Sequence, residues 1–242
     1  MGTRTKQDLL NHMDQYKDAV VIIGPKALCY GSYTDHESFQ EVMTNKTLRR
    51  KPEVFWSFFK EHVYKGEERL SPAQEVLIEL KDKIHRVYSQ NTDGLLSEYL
   101  PVTYLHGRDD LYKCNSCKTK FTAEYVMSFD TPPECEVCGK PLRPDMLLIG
   151  ENYWQDIFDD FKKDLLETHT VFLVGFDFEE DRIFDLILDY AEMKDTRNAT
   201  EEEKRMLVTV GVDDLVDLEE LANFEFLVKG DVGESMKRLL AK

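Results

Sequence analysis

The chain has 242 residues, 42% of them hydrophobic, with 31 Lys and Arg against 47 Asp and Glu, a formal charge of −16. That balance disfavours a nucleic-acid binder, which needs a basic surface for phosphates; it suits a basic partner such as a lysine-bearing peptide, although charge alone prefers a merely soluble acidic surface. No apolar run approaches the roughly 20 residues of a membrane span and residues 1–6 lack an apolar signal core, so the expectation is a soluble, cytoplasmic protein with no membrane partner.

Residues 5–17 place Leu9, Leu10, Met13 and Tyr16 on one helical face. Ala19-Val20-Val21-Ile22-Ile23 is a continuous apolar run, as a strand buried on both faces of a parallel sheet should be, and Gly24 ends it. In a nucleotide-binding α/β fold such a strand feeds a glycine-rich loop whose N–H groups approach phosphates. Here the loop reads Gly24-Pro25-Lys26-Ala27-Leu28. Pro25 has no N–H to give, and Lys26 puts a side chain where glycine would admit a phosphate. Either Lys26 serves as a point charge for that phosphate or the loop has lost its ligand, and the residues weigh the two equally.

Residues 36–47 suggest a helix. Residues 52–63 suggest a stronger one, with Pro52 at its start and Val54, Phe55, Phe58 and Phe59 to bury; Phe55-Trp56 reads as ordinary core packing. Ser71 caps a helix expected to run to about Lys83, with Pro72 at its first position and Gln74 reinforcing the cap. Ile84–Ser89 is a short strand, and Gln90, Asn91 and Asp93 crowd its C-terminal end, where open α/β sheets hold their ligands. Taken alone, these polar residues read better as a capping Asn and Asp with a half-buried histidine nearby. Gly94 allows a tight turn, and a second strand, Val102-Thr103-Tyr104-Leu105, delivers His106-Gly107. A histidine there can exchange protons near neutral pH.

Two C-x2-C pairs follow, Cys114 with Cys117 and Cys135 with Cys138, 17 residues apart. That is the spacing of a tetrahedral zinc site, and four sulfurs leave no open position, so the metal is expected to be structural. Cys29 stands alone. Helices are expected over residues 154–167 and 181–193, with a strand over Thr170–Val174 ending at Gly175. Residues 207–210 form a strand ending at Gly211, residues 224–228 form the last, and a helix closes the chain. Alternating strands and helices predict a parallel sheet covered on both faces.

The succession Q-N-x-D-G at 90–94, H-G at 106–107, two C-x2-C pairs, L-R-P-D at 142–145 and G-E at 150–151 resembles the sirtuin family, most specifically over residues 89–151. The resemblance implies an α/β fold with a doubly wound parallel, Rossmann-like sheet, an inserted small helical module and a zinc ribbon. Residues 1–30, 65–107 and 146–242 would form the NAD-binding domain, 31–64 the helical insert and 108–145 the ribbon. It further implies NAD-dependent removal of acyl groups from lysine, releasing nicotinamide and leaving the acyl group on ADP-ribose. NAD and zinc would be the cofactors, and an acyl-lysine peptide or protein the partner. By residue match, His106 would take a proton from a ribose hydroxyl, Asn91 would meet the ribose, Gln90 would orient ribose and histidine, and Asp93 would meet the nicotinamide amide. Gly24, Gly175, Asp177, Gly211 and Val232 would complete the cofactor site. Met146, Leu147, Ile149, Gly150 and Glu151 would line the acyl-lysine entry, where an extended substrate can add as a strand.

The chain also departs from the family pattern. The loop G-A-G-x-S has become Gly24-Pro25-Lys26-Ala27-Leu28, and an F-R pair falls by register on His36 and Glu37. G-T-S has become Gly175-Phe176-Asp177, whose aspartate can accept from a ribose but repels phosphate, and an asparagine has become Gly211. V-V-W-F-G-E has become Met146-Leu147-Leu148-Ile149-Gly150-Glu151, with no Arg or Tyr to hold an acidic acyl group, so succinyl-lysine is expected to be poor. Two alternatives stay open: a sirtuin-like binding or regulatory protein with little NAD affinity, and ADP-ribosyl transfer to another acceptor.

Overall fold

The computed structural model describes residues 5–27, 38–64, 69–130, 132–176, 182–193, 205–212 and 226–240. Cys29, His36, Glu37 and Asp177 lie outside the described residues.

Six strands form one parallel sheet: β1 (Ala19–Ile23), β2 (Ile84–Ser89), β3 (Val102–Tyr104), β7 (Thr170–Val174), β8 (Met206–Val212) and β9 (Phe226–Lys229). Their order is β3-β2-β1-β7-β8-β9, so the chain steps outward from β1 and later returns on its other side. Strand order therefore reverses at β1, the place where open α/β sheets hold their ligands. All five residues of β1 are buried, as are all five of β7, which explains their unbroken apolar runs.

Helices cover both faces. Val21 and Ile23 point to the face packed by α1 (Lys6–Tyr16), α5 (Pro72–Glu79) and α9 (Val232–Leu240), through Leu9, Met13, Ala73, Leu77 and Met236. Val20 and Ile22 point to the opposite face, beneath α7 (Gln155–Glu167) and α8 (Arg182–Met193), through Phe161, Leu165, Ile183 and Ile187. The strand period of two thus divides one apolar run between two cores. Ser71 and Gln74 close a capping box on α5 as expected, and Thr5 with Asp8 closes another on α1. No helix among the described residues is long and apolar enough to cross a membrane.

Several elements differ from expectation. Helix α5 stops at Glu79; Leu80 N–H then bonds to Leu77 O, and Lys81–Lys83 tighten into a 3-10 turn that redirects the chain into β2. The helix expected over 36–47 is instead α2 (Phe39–Val42) and α3 (Asn45–Arg50). They are parted where Met43 O accepts from Ile149 N–H (2.8 Å) and Thr44 caps α3. After α4 (Pro52–Phe58) the chain widens into a π-helical turn, Phe59–Val63. Val54 is 48% exposed, not buried, because the inward face carries Phe55, Trp56, Phe58 and Phe59. Phe55 and Trp56 are core residues, as read. Strand β8 does not end at Gly211 but continues to Val212, with an irregularity between Val210 and Val212.

These short helices pack on a second, antiparallel sheet of β4 (Gly107–Cys114), β5 (Lys120–Thr122) and β6 (Leu142–Met146), ordered β5-β4-β6. A third core joins Phe55, Trp56 and Phe59 to Tyr112, Leu142 and Met146. The cysteines lie at the far end of this sheet, near the short helix α6 (Ala123–Met127). All four Sγ atoms fall within 4.8 Å of one another, and the Cys114–Cys138 and Cys117–Cys135 pairs approach to 3.5 Å. Zinc at about 2.3 Å from four tetrahedral sulfurs sets them about 3.8 Å apart, so the cluster fits that ion.

One half-buried ionic knot ties α3 to the second sheet. Arg143 donates to both carboxylate oxygens of Glu151 (2.9 and 2.8 Å), which also accept from Asn45 Nδ2 (2.9 Å) and Leu148 N–H (3.0 Å). Burial would push the Glu151 carboxyl up, but the hydrogen bonds from Arg143 and Leu148 and the Arg143 charge outweigh it, so the carboxyl titrates below its usual range.

Elemental analysis of protein purified without chelator should return one zinc per chain. Stripping it should lower the thermal midpoint, because metal binding there is folding energy; a substoichiometric metal count with unchanged stability would contradict this. Glu151→Gln should destabilise the fold by about 2 kcal/mol in denaturant titration, having left Arg143 without its anion. Since the folded carboxyl is depressed, the stability it contributes is full above the unfolded pKa and lost as pH falls through the folded one. The parent should therefore lose its margin over the variant on acidification.

Candidate active site

The backbone of Gln90 joins two elements. Its N–H donates to Ile23 O at the end of β1 (2.9 Å), and its carbonyl accepts from His106 Nδ1 (2.9 Å). The loop that follows β2 is braced from below. Ser89 Oγ accepts from Asn91 N–H (3.1 Å), and Thr92 Oγ1 donates to the buried Asp109 carboxylate of β4 (2.7 Å). Asp93 accepts from Leu95 N–H (2.9 Å) in a side-chain-closed turn and from Gln74 Nε2 (3.4 Å). Held this way, Asn91 is 3% exposed, and neither its Oδ1 nor its Nδ2 has a hydrogen-bond partner among the described residues. The same is true of Gln90 Oε1. Buried amides are ordinarily satisfied, so two such groups side by side at a sheet's ligand end point to a polar ligand.

His106 follows β3 and precedes β4. A carbonyl only accepts, so the proton on the neutral ring sits on Nδ1 and the lone pair on Nε2. Tyr153 Oη lies 3.0 Å from Nε2 and donates to it, with the two rings stacked at 5.5 Å and 23°. Nearby, burial first and the Asp93 carboxylate second push the Tyr104 phenol up to about 12, so it stays protonated at neutral pH. The main chain of His106 is fixed as well, since its carbonyl accepts from Leu147 N–H (2.8 Å). Sequence reasoning missed Tyr153; the aromatic pair Tyr153-Trp154 directly ahead of α7 is the signal that could have marked it.

The glycines have local reasons of their own. A Cβ on Gly24 would meet Gly175 O and Phe176 Cα at 2.4 Å, so glycine is needed where the ends of β1 and β7 converge. Gly24 N–H donates to Val174 O, and Gly175 N–H to Val210 O. Gly211 has φ +79° and packs against the buried Val232 at the start of α9, two strands away from β1. The structure thus gathers Gly24, Gly175, Gln90, Asn91, Asp93 and His106 at the carboxyl ends of β1, β2, β3 and β7, and sets Gly211 with Val232 to one side. After Gly24, Pro25–Ala27 form a 3-10 turn closed by Ala27 N–H on Gly24 O (3.2 Å).

Of the segment expected to line an acyl-lysine entry, Met146 is buried, Leu147 half-buried, and Ile149 and Gly150 exposed. The N–H groups of Leu147 and Ile149 are committed to His106 and Met43, and Glu151 to the ionic knot.

The chain is similar to an NAD-dependent protein deacetylase of Clostridium acetobutylicum, 30% identical over 154 residues, covering 60% of this chain and 63% of that protein. It is also similar to an NAD-dependent protein deacylase of Pyrococcus abyssi, 31% identical over 147 residues, 56% and 58% of the two chains. The matched stretch spans less than two thirds of either relative. Among solved structures, a Sir2 protein bound to an acetylated peptide superposes with TM-score 0.77 over 98% of this chain and 97% of that one, at 22% identity. Another, Sir2Tm bound to a propionylated peptide, gives 0.76 over 98% and 97%, also at 22%. These likenesses carry the fold. The Sir2 family model matches residues 30–179, more than half the sequence, and the chain belongs to the Sir2 family.

Proposed function

We propose that this chain is an NAD-dependent protein-lysine deacylase. The observation that carries the reading is His106 with its lone pair kept on Nε2 by Gln90 O, together with the buried Asn91 amide that has no hydrogen-bond partner among the described residues. NAD, when bound, would supply the ribose to which the acyl group passes. His106 is then the general base, taking the hydroxyl proton at Nε2 while its Nδ1–H stays on the Gln90 carbonyl, which stabilises the imidazolium as it forms. Asn91 and the Gln90 side chain gain the hydrogen bonds they lack. Asp93, on its rigid turn, orients the nicotinamide amide, and Gly24 and Gly175 let the cofactor approach the strand ends. An acyl-lysine peptide enters along 146–151. The names of the similar deacetylase and deacylase support this reading.

A second reading, a Sir2-family protein with weak NAD affinity, is favoured by the loop after β1. Gly24 N–H and Ala27 N–H are already bonded within the fold, and Pro25 has none. Those N–H groups are not left to receive a pyrophosphate.

Calorimetry of the zinc-loaded protein with NAD separates the readings: dissociation constants of roughly millimolar or weaker favour the second. If the first holds, His106→Ala should keep the fold and lose ~10²–10⁴-fold in deacylation, and unchanged turnover would remove His106 from the mechanism. Pro25→Ala with Lys26→Gly should tighten NAD several-fold, roughly 1 kcal/mol. Weaker binding by that double variant would make Lys26 a working phosphate contact.

A further inference from the structure

Resting on the deacylase reading, we propose that Tyr153 is a positioning residue of this site: its phenol holds the proton-accepting nitrogen of His106 in the resting protein and must be displaced by the substrate hydroxyl. A neutral imidazole has one ring lone pair, and the Gln90 carbonyl confines it to Nε2. Tyr153 Oη–H occupies that lone pair at 3.0 Å. No second donor can share it with good geometry, so a substrate hydroxyl and the phenol compete for one position.

The phenol is held there by more than this bond. Its ring stacks on His106 at 5.5 Å and on Phe158 at 6.3 Å, and Phe158 is itself buried on α7. Removing the hydroxyl alone should therefore leave the ring in place. Tyr153 also lies just beyond Glu151, the fixed end of the segment that the deacylase reading assigns to the entering peptide. Substrate entry and release of the phenol thus involve one stretch of chain. In the proton transfer, His106 gains the proton at Nε2, the hydroxyl O–H bond breaks, and the electron pair stays on that oxygen. Tyr153 keeps its own proton throughout.

The test uses the full-length, zinc-loaded protein and does not depend on turnover. Diethyl pyrocarbonate carbethoxylates neutral imidazole at an open nitrogen, and peptide mass spectrometry reads each histidine separately. In Tyr153→Phe, His106 should be modified about three- to tenfold faster than in the parent, the range one neutral hydrogen bond supplies. The other histidines of the six in the chain serve as internal controls and should react as before, which also shows the variant folded. Should that variant be misfolded, the ¹⁵N resonance of Nε2 in the labelled parent decides instead: a hydrogen-bonded acceptor supports the proposal and an unbonded one overturns it. Equal modification of His106 in parent and folded variant would also overturn it. Where deacylation is measurable, Tyr153→Phe should lower KM several-fold at unchanged kcat, as loss of a resting-state competitor requires. A fall in kcat of tenfold or more would instead make the phenol a proton relay and sink the displacement model. If neither protein turns over substrate, the deacylase reading fails while the modification rates still decide the role of Tyr153.

Discussion

The parallel register of β1 with both its neighbours is the constraint from which the site follows. Ile23 lies opposite Ser89 of β2 and Val174 of β7, so three strands end level. Gly24, Gln90 and Gly175 therefore leave the sheet at one height. Only from that position can Gln90 reach Ile23 with its N–H and His106 with its carbonyl. A slip of one residue in β2 would turn Gln90 to the other face and break both bonds. The buried runs of β1 and β7 thus do more than fill a core; they set the height at which the His106 ring is oriented.

Much of this was legible in the residues because it rests on local rules. Unbroken β-branched runs mark strands buried on both faces, Ser71 with Gln74 marks a helix start, and paired C-x2-C turns mark a metal-sized cluster. The unread features are those in which distant segments decide. Nothing near residue 43 foretells that Ile149 N–H will part α2 from α3. Gly24 reads as a phosphate-loop remnant, yet contact with Gly175 and Phe176 is sufficient reason for it. Around Tyr153 the one local mark is the aromatic pair ahead of α7, and the fold alone brings its phenol to an imidazole 47 positions earlier.

The two ends of the site have been treated differently. At the β2–β3 end, Thr92 and Asp93 are braced, and the buried Asn91 amide has no hydrogen-bond partner among the described residues. At the β1 end, Gly24 N–H is bonded to Val174 and Ala27 N–H to Gly24. On the deacylase reading, proton transfer and phosphate binding draw on different residues, so one can stay well formed while the other weakens. That separation lets strong family signatures and an altered loop after β1 coexist in one chain; among the described residues, the bond from Gln90 N–H to Ile23 O links the two ends.

His106 belongs to neither sheet and is a corner of both. β3 ends at Tyr104, β4 begins at Gly107, and Gly107 pairs with Met146 at the near end of the sheet whose far end carries the cysteines. That sheet is consequently a lever with the imidazole at its fulcrum. Hydrogen bonds weaken steeply once the angle at the proton drops below about 120°. A modest swing of the lever could misdirect the Nε2 lone pair while every strand remained paired. The ion suited to the four sulfurs, closed to chemistry by its own coordination, would then set the stiffness of that lever and so the aim of the proton acceptor.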